Sequence, residues 1–105
     1  MNIHNKSTLK EYWTKHSRSK KSLETWYADV LTKRWKKPND VKKDYASASI
    51  LRNSRVVFDI KGNDFRLVVE FNYPKGWAFI KFIGTHAEYD KVDADKINLF
   101  KRKHQ

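Results

Sequence analysis

A histidine and a tyrosine lie three residues apart in the segment GTHAEYD, directly after an apolar run that contains one lysine. Histidine titrates near neutral pH and can act as a general acid or base, while tyrosine can stack on a base or orient a phosphate. Two cations precede this pair in the chain, and Arg and Lys side chains bind phosphate oxygens well. The candidate catalytic residues are therefore His86, Lys81, Arg66 and Tyr89.

The chemistry that suits this set is cleavage of RNA without a metal ion. Attack of a ribose 2′-hydroxyl on its own 3′ phosphate needs a base, an acid for the departing 5′ oxygen, and cations that offset the charge gathering on phosphorus. The chain has no cysteine, and its four histidines lack the spacing of a zinc site, so we expect neither a metal nor a cofactor. The residues that we assign to substrate binding are Thr85, Lys61 and Trp77.

Each candidate also has a purely structural explanation. Arg66 can pair with Asp59 across a hairpin, whether or not it also touches RNA. His86 can be a turn residue after a strand, and Tyr89 can be a core anchor. Lys81 is harder to explain by packing, because it interrupts the apolar run FIKFI.

The segment that contains His86 is predicted to be a short, capped helical turn. Thr85 and Glu88 have the spacing of a capping box, which makes His86 the first helical residue and puts Tyr89 on the same side. The candidate cations lie on the strand before this turn and on the strand beside it. All four catalytic candidates are therefore expected to converge on one edge of a sheet.

Two amphipathic helices are predicted in the N-terminal half. A first capping-box pattern, Thr8 with Glu11, precedes apolar residues at helical spacing: Leu9, Tyr12, Trp13 and His16. The second helix has a longer apolar face: Leu23, Trp26, Tyr27, Val30, Leu31 and Trp35. Pro38 is expected to end it, and residues 38–54 are predicted to be a polar connection with room for one helical turn.

From Arg55 the apolar period changes to two, which indicates strands in RVVFDIK, DFRLVVEFNY and WAFIKFIG. Pairing of Ile60 with Phe65 puts one apolar set on the core face: Val56, Phe58, Ile60, Phe65, Leu67, Val69 and Phe71. In the third strand we expect Ala78, Ile80 and Phe82 in the core, because the other register buries Lys81 without a partner.

The second face of the sheet then carries Lys81 with Val68 as its cross-strand neighbour, and three further residues: Trp77, Phe79 and Ile83. The C-terminal segment is expected to pack on this face through Val92, Ile97 and Leu99. If the segment is loose, the same face becomes a patch for a partner protein or for RNA bases. The sequence therefore predicts one α+β domain over residues 1–105, with two N-terminal helices packed on a three-stranded antiparallel sheet and room for a short C-terminal helical segment.

The charge balance indicates a polyanionic partner. Lys and Arg number 23 against 12 Asp and Glu, which gives a formal net charge of +11. Nucleic acid is the leading candidate, because neutralised phosphates release counterions. No apolar stretch has the length of a membrane span or the position of a secretion signal, so we expect a cytoplasmic protein without a membrane partner.

The segments GNDFRLVVEFNY and FIKFIGTHAEYDKVD, with LKEYWTKHSRSKKSLETWY and RWKKPNDVKKDY before them, resemble the HigB toxins of bacterial type II toxin–antitoxin modules, in the RelE/ParE superfamily. The resemblance covers roughly residues 6–95. It implies a RelE/ParE-like fold and a ribosome-dependent endoribonuclease that cuts mRNA in the ribosomal A site. It also implies a HigA-type antitoxin with a helix-turn-helix as partner.

Carried over position by position, the family's basic strand residues fall on Arg66 and Lys81, and its TH-x-x-Y element on Thr85, His86 and Tyr89. Two other interpretations remain open on the residues themselves. One is a non-catalytic module that binds RNA or the ribosome, which the charge and the exposed aromatic candidates support. The other is a gyrase inhibitor like the ParE relatives, against which the pairing of His86 with Tyr89 stands.

Overall fold

A five-stranded mixed sheet organises the chain, and its first strand comes from the N-terminus. The computed structural model describes residues 1–98. The strands are β1 (Asn2–His4), β2 (Ser49–Ile50), β3 (Arg55–Ile60), β4 (Phe65–Asn72) and β5 (Trp77–Thr85). Their order across the sheet is β1-β5-β4-β3-β2, with β1 parallel to β5 and the other neighbours antiparallel.

In the described part of the chain, four α-helices accompany the sheet: α1 (Lys6–Lys15), α2 (Lys20–Leu31), α3 (Pro38–Asp44) and α4 (His86–Tyr89). A 3₁₀ turn, Ser17–Ser19, joins α1 to α2. The α+β class and the β3-β4-β5 meander are confirmed. The prediction of three strands and two N-terminal helices was incomplete, because β1, β2 and α3 are too short to show a hydrophobic period in the sequence.

The first helix begins earlier than its sequence pattern predicted. Asn5 has a φ of 73° and precedes the first residue of α1, and the backbone N–H of Thr8 donates to the Asn5 carbonyl at 3.0 Å. Thr8 therefore lies inside the helix, and the capping box predicted for Thr8 and Glu11 is wrong. The apolar face was predicted correctly, since Leu9 and Trp13 are both buried.

The second helix ends seven residues before Pro38 and buries Leu23, Trp26 and Val30. Pro38 does not end α2. It is the first residue of α3, a position where the missing N–H of proline has no cost. Trp35 is buried from the connection between the two helices, and its indole N–H donates to Asp44 Oδ2 at 2.8 Å. Trp35 thus has the spacing of the apolar face of α2 and reaches the core, although it lies outside that helix.

The hairpin between β3 and β4 has the predicted register. Ile60 pairs with Phe65, and Asp59 pairs with Arg66. Lys61 and Gly62 turn the chain with φ values of 54° and 63°. The apolar set expected on the core face lies in the main core cluster, together with the buried residues of α1, α2 and α3.

A β-bulge in β5 changes the predicted face of two residues. Val69 pairs with Ile80 and Val68 pairs with Phe82, so Lys81 is the extra residue without a partner on β4. Phe82 therefore packs on the second face, against Val57 and Val68, and the prediction that it joins the main core is wrong. Ile83 was expected on the second face and lies in the main core. Val68 is the neighbour of Phe82, not of Lys81.

The C-terminal segment covers part of the second face. Val92, Ala94 and Ile97 pack on the small cluster formed by Val57, Val68 and Phe82, as the sequence predicted for Val92 and Ile97. The chain after α4 forms turns, in which the Lys96 and Ile97 N–H groups donate to the Asp93 carbonyl. Leu99 and the rest of the predicted C-terminal segment lie outside the described residues.

A buried arginine fixes this covering segment. The guanidinium of Arg55 is 3.0 Å from Glu70 Oε1, and its Nη1 donates to the carbonyls of Ala94 at 2.9 Å and Ile97 at 2.7 Å. These bonds cross 39 and 42 residues of sequence.

Within residues 1–98, no helix is long and apolar enough to cross a membrane.

We expect Arg55→Met to lower the free energy of unfolding by about 2 kcal/mol or more, because the change leaves two carbonyls and a carboxylate without their buried donor. The midpoint of urea denaturation measures the effect. Arg52→Met is the matched control, since Arg52 is exposed on the connection before β3. Equal midpoints for the two variants would contradict a role of Arg55 in fixing the segment.

Candidate active site

The helical turn α4 begins with the capping box that the sequence predicted. Thr85 Oγ1 accepts a hydrogen bond from the Glu88 N–H at 3.1 Å, and Glu88 Oε1 accepts one from the Thr85 N–H at 2.8 Å. Two backbone donors at the helix start are thereby satisfied. Thr85 has a structural role in this arrangement, and its assignment to substrate binding stays a prediction.

Glycine at position 84 lets two side chains approach the start of the turn. A Cβ atom there would lie 2.6 Å from Phe82 Cζ and 2.9 Å from Glu88 Oε1. Both distances are too short for a real Cβ atom, so a larger residue would displace Phe82 or pull Glu88 out of the capping box. The geometry of α4 therefore depends on Gly84.

His86 combines an anchored backbone with an open side chain. Its N–H donates to the carbonyl of Asp64 at 3.0 Å, which ties α4 to the turn between β3 and β4. Its side chain is 47% exposed, and Nε2 lies 3.7 Å from Asp90 Oδ2, an ion-pair distance when the ring is protonated. An imidazole in this position can reach a bound substrate while its backbone stays fixed.

Tyr89 lies on the same turn and is half-buried against Phe82, with 6.3 Å between the ring centroids. Burial raises the pKa of the Tyr89 hydroxyl, and the nearby Arg66 guanidinium opposes part of that rise. The phenol is therefore protonated at neutral pH. It can donate a hydrogen bond to a phosphate oxygen and cannot serve as a general base there.

Arg66 lies beside Tyr89, and its N–H groups are largely occupied. Its Nη2 donates to Asn63 Oδ1 at 2.6 Å, its Nη1 donates to the Asn63 carbonyl at 3.2 Å, and its Nε is 3.3 Å from Asp59 Oδ1. The side chain is only 11% exposed. The predicted pairing with Asp59 is confirmed, whereas contact of Arg66 with a phosphate requires it to exchange one of these partners and stays a prediction.

The other two strand candidates lie further back along β5. Lys81 Nζ lies 5.8 Å from the centroid of the Phe79 ring, four positions before Thr85 on β5. Trp77 pairs with Asn72 at the opposite end of the strand, about 25 Å from Thr85 at the usual rise per residue. Trp77 instead contacts the ring of His4, which also stacks on Phe79. Lys61 is exposed in the β3–β4 turn, at the same end of the sheet as His86.

Sequence reasoning missed a cation at this edge. Arg18, in the 3₁₀ turn, has a 71% exposed side chain, and its Nη2 lies 2.9 Å from Asp64 Oδ2. The carbonyl of the same Asp64 accepts the His86 N–H, so one residue links Arg18 to α4. In the sequence, Arg18 stands among three other basic residues, Lys15, Lys20 and Lys21. No local pattern predicts that Arg18 meets the β3–β4 turn.

The aromatic residue behind this edge is Tyr12 of α1. Its ring stacks on His16 at 4.2 Å and meets Phe65 edge-on at 6.2 Å. Burial raises the pKa of Tyr12 to about 12, with a smaller contribution from the Glu88 carboxylate. Tyr12 thus links α1 to the start of α4 and supports the site from the core side of the sheet.

Carboxylates are frequent around α4. Asp90, Asp95 and Asp59 all act on the Tyr89 hydroxyl, and Asp64 pairs with Arg18. Within residues 1–98, no group of three or more His, Cys, Asp or Glu residues stands where it could hold a metal ion. The chemistry that the described side chains can perform at this edge is proton transfer by His86 and hydrogen bonding by Tyr89, with exposed cations at Arg18 and Lys61.

The sequence is similar to that of a known protein over most of its length. The chain is 27% identical over 94 residues to the mRNA interferase HigB of Escherichia coli O6:H1 (strain CFT073), a match that covers 88% of this chain and 91% of the relative. Residues 19–92 match the HigB_toxin family, described as the RelE-like toxic component of a toxin–antitoxin system. That range includes all four catalytic candidates and the capped turn. The resemblance seen in the sequence is thus confirmed, and the chain belongs to the HigB_toxin family of RelE-like toxins.

Proposed function

We propose that this protein is an endoribonuclease that cleaves mRNA on the ribosome by metal-independent phosphodiester cleavage, and so inhibits translation. One observation carries the proposal: an exposed His86 at the start of a capped turn, beside a protonated Tyr89, inside the residues that match a toxin family. The name of the E. coli relative, an mRNA interferase, supports the same reaction class.

His86 is the proton-transfer group in this mechanism. Its ring is open to solvent, so a ribose 2′-hydroxyl or a departing 5′ oxygen can come within hydrogen-bond reach. Asp90, 3.7 Å from Nε2, helps to orient the ring and stabilises it after it accepts a proton. The hydrogen bond from the His86 N–H to the Asp64 carbonyl holds the backbone that carries the imidazole.

The remaining residues bind the phosphate or hold the site in shape. Tyr89 donates its hydroxyl to a non-bridging phosphate oxygen, because its raised pKa keeps the proton in place. Arg18 and Lys61 are the exposed cations at this edge and approach the phosphate from the two turns. Arg66 and Lys81 contribute charge from the sheet, Arg66 chiefly by fixing the β3–β4 turn through Asn63.

Dependence on the ribosome follows from the charges at the site. The carboxylates of Asp59, Asp64 and Asp90 pair with Arg66, Arg18 and His86, and so compete with a phosphate backbone that arrives unaided. A ribosome that holds the mRNA in place supplies the orientation that this surface lacks. The proposed partners are therefore the ribosome with its mRNA and, as inhibitor, a HigA-type helix-turn-helix antitoxin, all in the cytoplasm.

We expect His86→Ala to lower cleavage of ribosome-bound mRNA by roughly 10²- to 10⁴-fold, because the variant loses its general acid or base. Primer extension on a defined mRNA, with and without programmed ribosomes, measures the cuts. His16→Ala is the matched control, since it removes an exposed imidazole that stacks on Tyr12 outside α4. Circular dichroism should show both variants folded. Undiminished cutting by folded His86→Ala protein would remove this residue from the mechanism.

Tyr89→Phe is expected to reduce cleavage by about 10- to 100-fold while thermal stability stays near that of wild type. The change keeps the ring against Phe82 and removes only the hydroxyl that donates to the phosphate. Single-turnover rates at saturating ribosomes separate this loss from weaker binding. A wild-type rate with Phe at position 89 would reduce Tyr89 to a packing residue.

Loss of Lys81 or Arg66 is expected to lower cleavage about a hundredfold, if both offset charge in the transition state. The two variants should differ in stability. Arg66→Met breaks the bonds to Asn63 and Asp59 and should lower the urea midpoint, while Lys81→Met, at the half-exposed bulge, should not. If Lys81→Met cuts as well as wild type, the lysine has only a local role beside Phe79.

A further inference from the structure

A group of cations lies away from α4, at the C-terminal end of α2. At the C-terminal end of α2, the segment around residues 31–36 faces the β4–β5 turn, residues 73–76, across an open groove of about 680 Å³. We call this the basic groove. Among the described residues, its lining includes Lys33, Arg34, Lys36 and Lys75 and no carboxylate side chain.

A structural explanation accounts for only some of these cations. Cations commonly gather at a helix C-terminus because they satisfy its last carbonyls and its dipole. Here the amino group of Met1 fills that role, since it donates to the carbonyls of Val30 at 3.1 Å and Lys33 at 2.6 Å. Lys33 Nζ, in turn, is 3.6 Å from Asp29 Oδ1 and 3.5 Å from Asp44 Oδ2.

Three cations of the groove are left without such partners. Within residues 1–98, the side chains of Arg34, Lys36 and Lys75 form no salt bridge with a carboxylate. Arg34 lies close enough to the Met1 amino group to add to the burial that lowers the pKa of that group. Positive groups therefore face one another here without a compensating anion, an arrangement that a polyanion would relieve.

The walls of the groove also suit a phosphate backbone. Leu31, 46% exposed, lies on one wall, and Tyr73 and Pro74 lie on the other. Lys75 Nζ sits 4.6 Å above the Trp77 ring, which limits the positions of its charge. Apolar walls lower the local dielectric and strengthen the attraction between a cation and a phosphate. Because cations stand on both walls, a phosphate backbone that lies in the groove can contact cations on each wall.

We propose that the basic groove binds the phosphate backbone of structured RNA and that it docks the protein on ribosomal RNA, apart from the site at α4. The ribosomal identity of this RNA rests on the proposed function, whereas RNA binding by the groove does not. The division of charge supports two separate surfaces: unpaired cations without carboxylates at the groove, and carboxylates beside the candidate catalytic residues at α4.

The test compares two variants of the full chain that lose the same charge. Arg34→Gln, Lys36→Gln and Lys75→Gln combined neutralise the groove. Lys10→Gln, Lys15→Gln and Lys21→Gln combined are the matched control, because these lysines are exposed outside it. Binding to purified ribosomes and to an RNA hairpin is measured from low to moderate salt, after circular dichroism shows that both variants are folded.

The groove variant should bind both probes at least tenfold more weakly than wild type. The slope of its log affinity against log salt concentration should be shallower than that of wild type by about two to three, because each lost cation removes one phosphate contact. The control variant should stay near wild type. Equal losses in both variants would mean diffuse charge attraction, and unchanged binding by the groove variant would mean that RNA does not occupy the groove; either result overturns the proposal.

A separate measurement distinguishes this proposal from the proposed cleavage. At saturating ribosomes, the groove variant should cut mRNA at the wild-type rate, with the loss confined to the ribosome concentration needed for half-maximal rate. If wild-type protein cuts no mRNA while binding still depends on the groove, the cleavage proposal fails and the docking proposal stands. A lower rate at saturation would overturn the separation of the two surfaces.

Discussion

One extra residue in β5 decides which side chains surround the start of α4. Lys81 has no partner on β4, so the alternation of faces is reset between Ile80 and Phe82. Ile83 therefore turns into the main core, while Phe82 and Gly84 face the second side, where Tyr89 packs. Without the bulge, each of these residues would face the opposite side of the sheet. The space that Gly84 leaves for Phe82 and Glu88 would then open toward the main core.

The site is then held from three directions by contacts far apart in sequence. The hairpin turn fixes α4 through the Asp64 carbonyl, α1 supports it through Tyr12 and Phe65, and the C-terminal segment lies beside Tyr89 on the small second cluster. Arg55 holds that segment by two backbone carbonyls. A helix of one turn has too little hydrogen bonding to be stable alone, so α4 depends on these contacts.

The distribution of charge differs between α4 and the basic groove. Asp59, Asp64 and Asp90 lie beside the candidate residues at α4, where they pair with Arg66, Arg18 and His86, respectively. The unpaired cations at the end of α2 are free to contribute long-range attraction and orientation.

The sequence by itself determined the periodic elements and the local signals. The faces of α1 and α2, the pairing of Ile60 with Phe65, the Asp59–Arg66 pair and the cap of Thr85 and Glu88 all follow from spacing between near neighbours. The family resemblance was also readable from local segments, and it is confirmed. These features depend on contacts that a few consecutive residues define.

Only the tertiary structure decided the rest. The bulge at Lys81, the parallel pairing of β1 with β5, the burial of Trp35 from a connection and the meeting of Arg18 with Asp64 each depend on where distant segments pack. The sequence placed Lys81 with His86 at one edge of the sheet, yet Lys81 lies four positions before the end of β5, and Trp77, assigned to substrate binding, lies at the start of that strand. Period and spacing report which face a residue occupies, whereas distance between residues is set by the packing of the whole chain.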